Sequence, residues 1–229
     1  MLDADRGSEE EVVMSRSDAE SLWEVACGLA RTVAEVSREP GASPTLPPLL
    51  FFTDPARTPR PWETAARLPP GAGVVFRHFG AADASATARR LREVTAAAGV
   101  RLLIGLDIGL AAEVRADGVH LPERAIGQAE ALMAAHPGWL VTGAVHGPES
   151  IARARALHAM VLSPVFPAGG VSTARPSLGP AGFRALASSA GRPVYALGGI
   201  TERNASALIG SGACGLAGVE AIQAAFGSP

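Results

Sequence analysis

The residues best suited to chemistry stand where short apolar runs stop. Asp54 follows LLFFT, Arg77 and His78 follow GVVF, and Asp107 follows RLLIGL. His120 and Glu123 bracket the end of DGVHLP, His146 closes WLVTGAVH, and Ser163 follows AMVL. Gly198 and Gly199 end PVYAL, and Gly218 and Glu220 lie in GLAGVEAI. The imidazoles of His120 and His146 are of the type that moves protons near neutral pH. An arginine leaving an apolar strand calls for an anionic partner, so Arg77 meets either a ligand or a structural carboxylate such as Asp107. A glycine pair ahead of a helix start can bring backbone N–H groups to a phosphate, although Gly198 and Gly199 could equally serve close packing. His120 reads either as a ligand contact or as a lining imidazole bonded to a neighbour. His136 and His158 fall at helix ends, as solvated partners of the helix dipole.

Elements that would gather these residues follow from the same apolar runs. Strands are expected over 49–54, 73–79, 101–107, 117–122, 139–146, 159–166, 193–200 and 215–222. Apolar residues at 3.6 spacing predict helices over 62–68, 84–98, 109–115, 126–136 and 148–157, with two more after strands 6 and 7. Gly99, Gly138, Gly191 and Gly212 mark helix ends, and Pro148 and Thr201 mark starts. Short apolar strands alternating with helices predict a single (β/α)8 TIM barrel over 49–229. In such a barrel the carboxyl ends of all strands share one face, which is where the residues above would meet. The loop from Pro167 to Leu178, rich in Gly, Ser and Thr, suits a mobile lid with one arginine, Arg175. Ahead of the barrel, 1–16 reads as a disordered acidic segment and 39–48 as a proline-rich linker. Between them Leu22, Val25, Ala26, Leu29, Val33 and Val36 form one face of a helix behind Ser17 and Asp18. That helix packs on the barrel or on a second subunit near Trp23, which would give a homodimer.

Composition narrows the function. With 229 residues, 48% hydrophobic, the chain has material for one large core. A net charge of −2 excludes the basic field that nucleic acid needs. No run approaches the ~18 apolar residues of a membrane helix. The acidic opening MLDADRGSEEEVV differs from a secretory signal, and Cys27 and Cys214 are widely separated, so a reducing cytoplasmic setting is expected. All 20 basic residues are arginine. Schiff-base chemistry and lysine general acids are therefore excluded.

Several of these segments resemble one family. ADGVHLP, SPVFP, LGGIT and GLAGVEAI, together with LLFFTD and the FR of strand 2, are similar to motifs of the thiamine phosphate synthase and thiazole tautomerase family. The resemblance covers roughly 49–225 and implies thiamine biosynthesis on a β/α barrel. Synthases of this family join hydroxymethylpyrimidine pyrophosphate to thiazole phosphate with Mg2+. On that pattern Arg77 and Arg175 would take the pyrophosphate, with Ser172 and Thr173 adding hydroxyls. Gly198, Gly199 and Gly218 would hold thiazole phosphate, and His146 would lie near the pyrimidine.

The chain also departs from the family. Leu106 stands where a metal carboxylate is usual, and Pro122-Glu123-Arg124-Ala125 replaces Gly-Gln and a second metal Asp. Asp107 and Glu123 are the remaining candidates for Mg2+. Ala144 replaces a pyrimidine-contacting serine, Phe79 a common lysine, and Glu220 a phosphate-binding serine. Ser163-Pro164 lacks the histidine of related tautomerases. Three functions follow as expectations, all taking a heterocyclic phosphate as ligand. They are a thiamine phosphate synthase-like transferase, a metal-free isomerase using His120 or His146, and a non-catalytic binder of thiamine precursors.

Overall fold

The structure is a computed structural model that describes residues 17–36, 45–168 and 175–227. The expected disorder of 1–16 and most of the linker lie outside the described residues. Eight parallel strands close on themselves in sequence order, β1 against β8 included. They are β1 (Leu49–Phe52), β2 (Gly73–Phe76), β3 (Arg101–Gly105), β4 (Gly118–Leu121), β5 (Leu140–Val145), β6 (Ala159–Leu162), β7 (Val194–Leu197) and β8 (Ala213–Gly218). The outer helices are α2 (Pro61–Ala65), α3 (Ala84–Ala98), α4 (Ile108–Glu113), α5 (Ala129–Ala135), α6 (Pro148–Arg153), α7 (Gly179–Ser189) and α8 (Glu220–Phe226). A 3-10 turn, Glu123–Gln128, precedes α5.

Both faces of the sheet are buried, so the strands are apolar throughout and alternate residues enter two separate cores. Leu50, Phe52, Val75, Leu103, Val161 and Tyr195 fill the barrel interior. Leu49, Phe51, Val74, Phe76, Leu102 and Ile104 meet the surrounding helices. The seam is tied at the amino end: Leu216 N–H donates to Pro48 O at 3.0 Å, and the buried Tyr195 hydroxyl donates to Pro47 O at 2.6 Å.

The N-terminal helix α1 (Asp18–Val36) belongs to this shell. Its start is a capping box: Glu20 N–H donates to Ser17 Oγ at 3.2 Å and Ser17 N–H to Glu20 Oε2 at 3.0 Å. The crossover from β7 to β8 holds only a four-residue 3-10 helix, Ala205–Leu208, too short to cover β8. Helix α1 lies against β8 instead, touching α8, β1 and that 3-10 turn. Leu22, Ala26 and Leu29 are buried there, while Val33 packs on the interior core. Helix α1 therefore packs on the barrel.

Three local expectations are corrected. The helix expected from Thr201 is a turn: Asn204 Oδ1 accepts from Thr201 N–H at 2.9 Å and its amide donates to Gly199 O at 2.8 Å. That side chain satisfies the backbone locally, in competition with a helical ladder. The last strand stops at Gly218, four residues before the expected end, because Gln223 N–H already closes on Val219 O at 3.0 Å and opens α8. His158 is no solvated dipole partner, since its Nδ1 accepts from Val141 N–H at 3.0 Å.

Two imidazoles are thus part of the packed barrel. His120 faces Thr142 across β4 and β5, with Nδ1 and Oγ1 3.0 Å apart, and its ring meets Phe52 edge-on at 4.9 Å. Burial above all, and then the charge of Arg77, bring its pKa down to about 3. Burial and Arg192 likewise lower that of His158, against the Val141 bond.

Both groups take up protons more readily in the unfolded chain, near its ordinary pKa of about 6.5. Their contribution to stability is therefore complete above about pH 6.5 and is lost as pH falls toward the folded values. Urea denaturation is expected to show stability declining below about pH 6.5, by at most about 1.4 kcal/mol per pH unit from His120. His120→Asn should flatten that slope. Leu22→Ala should cost about 2–5 kcal/mol in a single cooperative transition, since α1 is part of the same core. An unchanged midpoint would show α1 to be dispensable.

Candidate ligand-binding cleft

A cleft of about 1180 Å³ opens at the carboxyl ends of the strands. Its floor is Phe52, Arg77, His120 and Leu197, and its walls include Phe79, Leu106, Asp107, Glu123, Arg124, Ala144, His146, Arg153, Ser163 and Arg175. Two walls carry strained backbone. Phe79 (φ 47°) and Leu106 (φ 64°) are left-handed, and both are exposed, at 69% and 38%. Non-glycine residues held this way cost on the order of 1–3 kcal/mol and cluster at functional sites. The left-handed turns place an aromatic and an aliphatic side chain over the opening.

Arg77 leaves β2 into this floor. Its Nε donates to Thr53 O at 2.8 Å and its N–H to Thr53 Oγ1 at 2.9 Å, which locks the side chain onto the end of β1. The guanidinium carbon lies 5.3 Å from the Phe52 ring centroid and 5.4 Å from that of Phe79. Neither Nη group has a hydrogen-bond partner among the described residues, and Nη2 is buried. Among the described residues no carboxylate forms an ion pair with it either; Asp107 meets His78 Nε2 at 3.5 Å instead. Burial is the main reason its pKa is brought down to about 10; Asp54 opposes that shift and Arg57 adds to it. Burial pushes the neighbouring Asp54 upward, but Arg57 Nη2 at 3.0 Å and two backbone N–H donors outweigh it and hold the carboxyl below its ordinary range.

His146 lines the same cleft. Its Nδ1 is 2.8 Å from Ser163 O and 3.3 Å from Ser163 Oγ. A carbonyl oxygen only accepts, so in the neutral ring Nδ1 carries the hydrogen and Nε2 presents its lone pair. Nε2 is 3.8 Å from Glu123 Oε2, beyond direct hydrogen bonding, while Glu123 Oε1 is held by Arg153 Nη2 at 3.2 Å. Ser163–Pro164 is a cis peptide, and Phe166 N–H then bonds Gly198 O at 2.9 Å across the tops of β6 and β7.

The cleft thus brings together Arg77, His120, His146, Asp107, Glu123 and Arg175. Gly198, Gly199 and Gly218 are not among its lining residues. A Cβ on Gly198 (φ 103°) would meet Pro164 Cα at 2.8 Å, and one on Gly199 (φ 63°) would meet Pro167 O, so this pair admits the crossing 164–167 segment. Gly218 packs under Ile222, 3.2 Å from where its Cβ would be. Glu220 opens α8 with its side chain 61% exposed and pairs with Arg57 Nη1 at 3.5 Å. Ser172 and Thr173 lie outside the described residues.

The carboxylates do not fit Mg2+. Asp107 Oδ1 caps α4 by accepting from Leu110 N–H at 2.9 Å, and both Glu123 oxygens face cationic or imidazole nitrogens. Leu106 adds no oxygen, and among the described residues no three His, Cys, Asp or Glu side chains gather as metal ligands. Magnesium requires near-octahedral oxygen ligation. Arg153 and Arg124 also line the cleft, although nothing in their local sequence marks them for it. Only the packing of α6 beside the 3-10 turn after β4 turns them to the cleft.

Among known proteins, the family described as thiamine monophosphate synthase matches residues 64–222. The thiamine-phosphate synthase of Methanoculleus marisnigri is 32% identical over 142 residues, which span 61% of this chain and 67% of that protein. A putative thiamine-phosphate synthase of Geobacter sulfurreducens is 36% identical over 143 residues, spanning 60% of this chain and 65% of it. In fold, the chain is similar to a thiamine phosphate pyrophosphorylase from Pyrococcus furiosus, with a TM-score of 0.65, 22% identity, and coverage of 78% of this chain and 91% of that one. The family match extends over well more than half of the sequence and includes β2 to β8, so the chain belongs to the thiamine phosphate synthase family.

Proposed function

We propose that this family member binds a phosphorylated heterocyclic precursor of thiamine in the cleft and moves protons on it, without coupling two precursors. The observation that carries this reading is His146. Its Nδ1 is anchored on Ser163 O at 2.8 Å, which turns Nε2 toward Glu123 and the cleft. An imidazole of fixed tautomer beside a carboxylate can accept a proton at Nε2, and Glu123, held by Arg153, stabilises the resulting imidazolium. His120 has a complementary part. Kept neutral by burial, it remains a hydrogen-bonding group without itself gaining charge. Two histidines in one cleft, set apart in this way, supply a base and a neutral partner.

Coupling of two precursors is disfavoured by the same geometry. Expelled pyrophosphate carries charge that the family meets with Mg2+, and the carboxylates here are engaged in a helix cap and in ion pairs. The expected result with hydroxymethylpyrimidine pyrophosphate and thiazole phosphate is no thiamine phosphate, with or without Mg2+. Proton NMR of thiazole phosphate in D2O should show ring deuteration at least about tenfold above buffer, as proton transfer by one residue commonly provides. His146→Asn should remove that gain while retaining ligand binding. Magnesium-dependent thiamine phosphate would make the chain a synthase; binding without deuteration would leave a carrier of the precursor.

A further inference from the structure

The charges lining the cleft are unbalanced. Four guanidinium groups, those of Arg77, Arg124, Arg153 and Arg175, face two carboxylates, those of Asp107 and Glu123. Both carboxylates have partners within the protein, whereas Arg77, Arg124 and Arg175 form no ion pair among the described residues. Of these, Arg77 is the most constrained. Its Nε is fixed on Thr53 O, its guanidinium carbon lies 5.3 and 5.4 Å from the Phe52 and Phe79 ring centroids, and both Nη groups lack acceptors among the described residues. A largely buried guanidinium with unmet donors is costly until an anion supplies the acceptors. Planar bidentate capture of phosphate is what a guanidinium does best.

We propose that the cleft binds its phosphate or pyrophosphate group through arginine alone, without a bridging divalent cation, Arg77 gripping it at the floor and Arg124 and Arg175 closing on it from the rim. Phe79 covers the Arg77 guanidinium on its open side, and Leu106 continues that apolar wall. The ligand is therefore an anion attached to a flat, apolar ring. The inference rests on the reading that a phosphorylated heterocycle occupies this cleft, but it concerns the charge partner of that ligand and not the proton step.

A divalent cation then acts in the opposite sense to a metal-bridged site. It binds free pyrophosphate and competes with arginine for the same oxygens, so adding it weakens association. Isothermal titration of the full chain with sodium pyrophosphate, once in EDTA and once in excess Mg2+, tests this directly. Binding in EDTA that weakens at least about threefold in Mg2+ is the expected result. Arg77→Gln should weaken binding in EDTA at least about tenfold, the range of one charge-assisted contact. Should Arg77→Gln fail to fold by circular dichroism, the exposed pair Arg124→Ala with Arg175→Ala serves instead, with an expected loss of at least about threefold. Binding that appears only with Mg2+, no binding in either buffer, or variants that bind like the parent would each overturn the proposal. Metal-free pyrophosphate binding without deuteration of thiazole phosphate would retain this inference and remove the catalytic reading. Deuteration without pyrophosphate binding would do the reverse.

Discussion

Closure of β8 onto β1 is the constraint on which the rest of this molecule depends. A parallel sheet has no hairpins to hold its edges, and each strand here contributes only four to six residues. Pairing Leu49–Phe51 with Leu216–Gly218 leaves no free edge and brings all eight carboxyl ends to one rim. The cleft exists because of that seam. The seam is in turn held from outside by α1, which occupies the ground left open by the short β7–β8 crossover. An N-terminal helix thus supports an active-face geometry to which it contributes no lining residue.

On that rim the electrostatics are set by arginines more than by carboxylates. The oxygens that could meet a cation are already engaged: Asp107 caps a helix, and Glu123 lies between Arg153 and His146, while Leu106 beside them is apolar. Four arginines, Arg77, Arg124, Arg153 and Arg175, line the same cleft. Desolvation of Arg77 beside two aromatic rings disfavours its charge, and Asp54, itself paired with Arg57, offsets that only in part. In a folded protein such a group is strained until a ligand arrives, which is how binding energy is concentrated at a site. Strained backbone at Phe79 and Leu106 accompanies this charge, on the same wall.

The region over β7 and β8 is closed by its own packing. Gly198 and Gly199 remain, but the 164–167 segment crosses directly against them, bonded through Val165 N–H to Leu197 O at 2.9 Å. Asn204 folds the next residues into a turn where a helix start was expected. At β8, Glu220 is drawn to Arg57 and carries its own negative charge at the first turn of α8, where the helix dipole favours it. Together these contacts leave the cleft centred over β2 to β6.

Much of this was legible in the chain. Alternating apolar runs and helical spacing specify eight strands and their order, because a strand buried on both faces must be apolar and must end in turn residues. The arrival of Arg77, His120 and His146 on one rim follows from that order alone. The strands end one to four residues short of the apolar runs, since the chain turns early: His78 O accepts from Ala81 N–H and Val219 O from Gln223 N–H. The partners of each charge were not legible. Whether Asp107 caps a helix or holds a metal, whether Glu123 meets Arg153, and whether Arg77 finds a carboxylate depend on distances between residues far apart in sequence. Local propensity determines which elements form; only the closed barrel decides which side chains come within reach of one another, because Coulomb and hydrogen-bond energies are set by separation and burial, not by order along the chain.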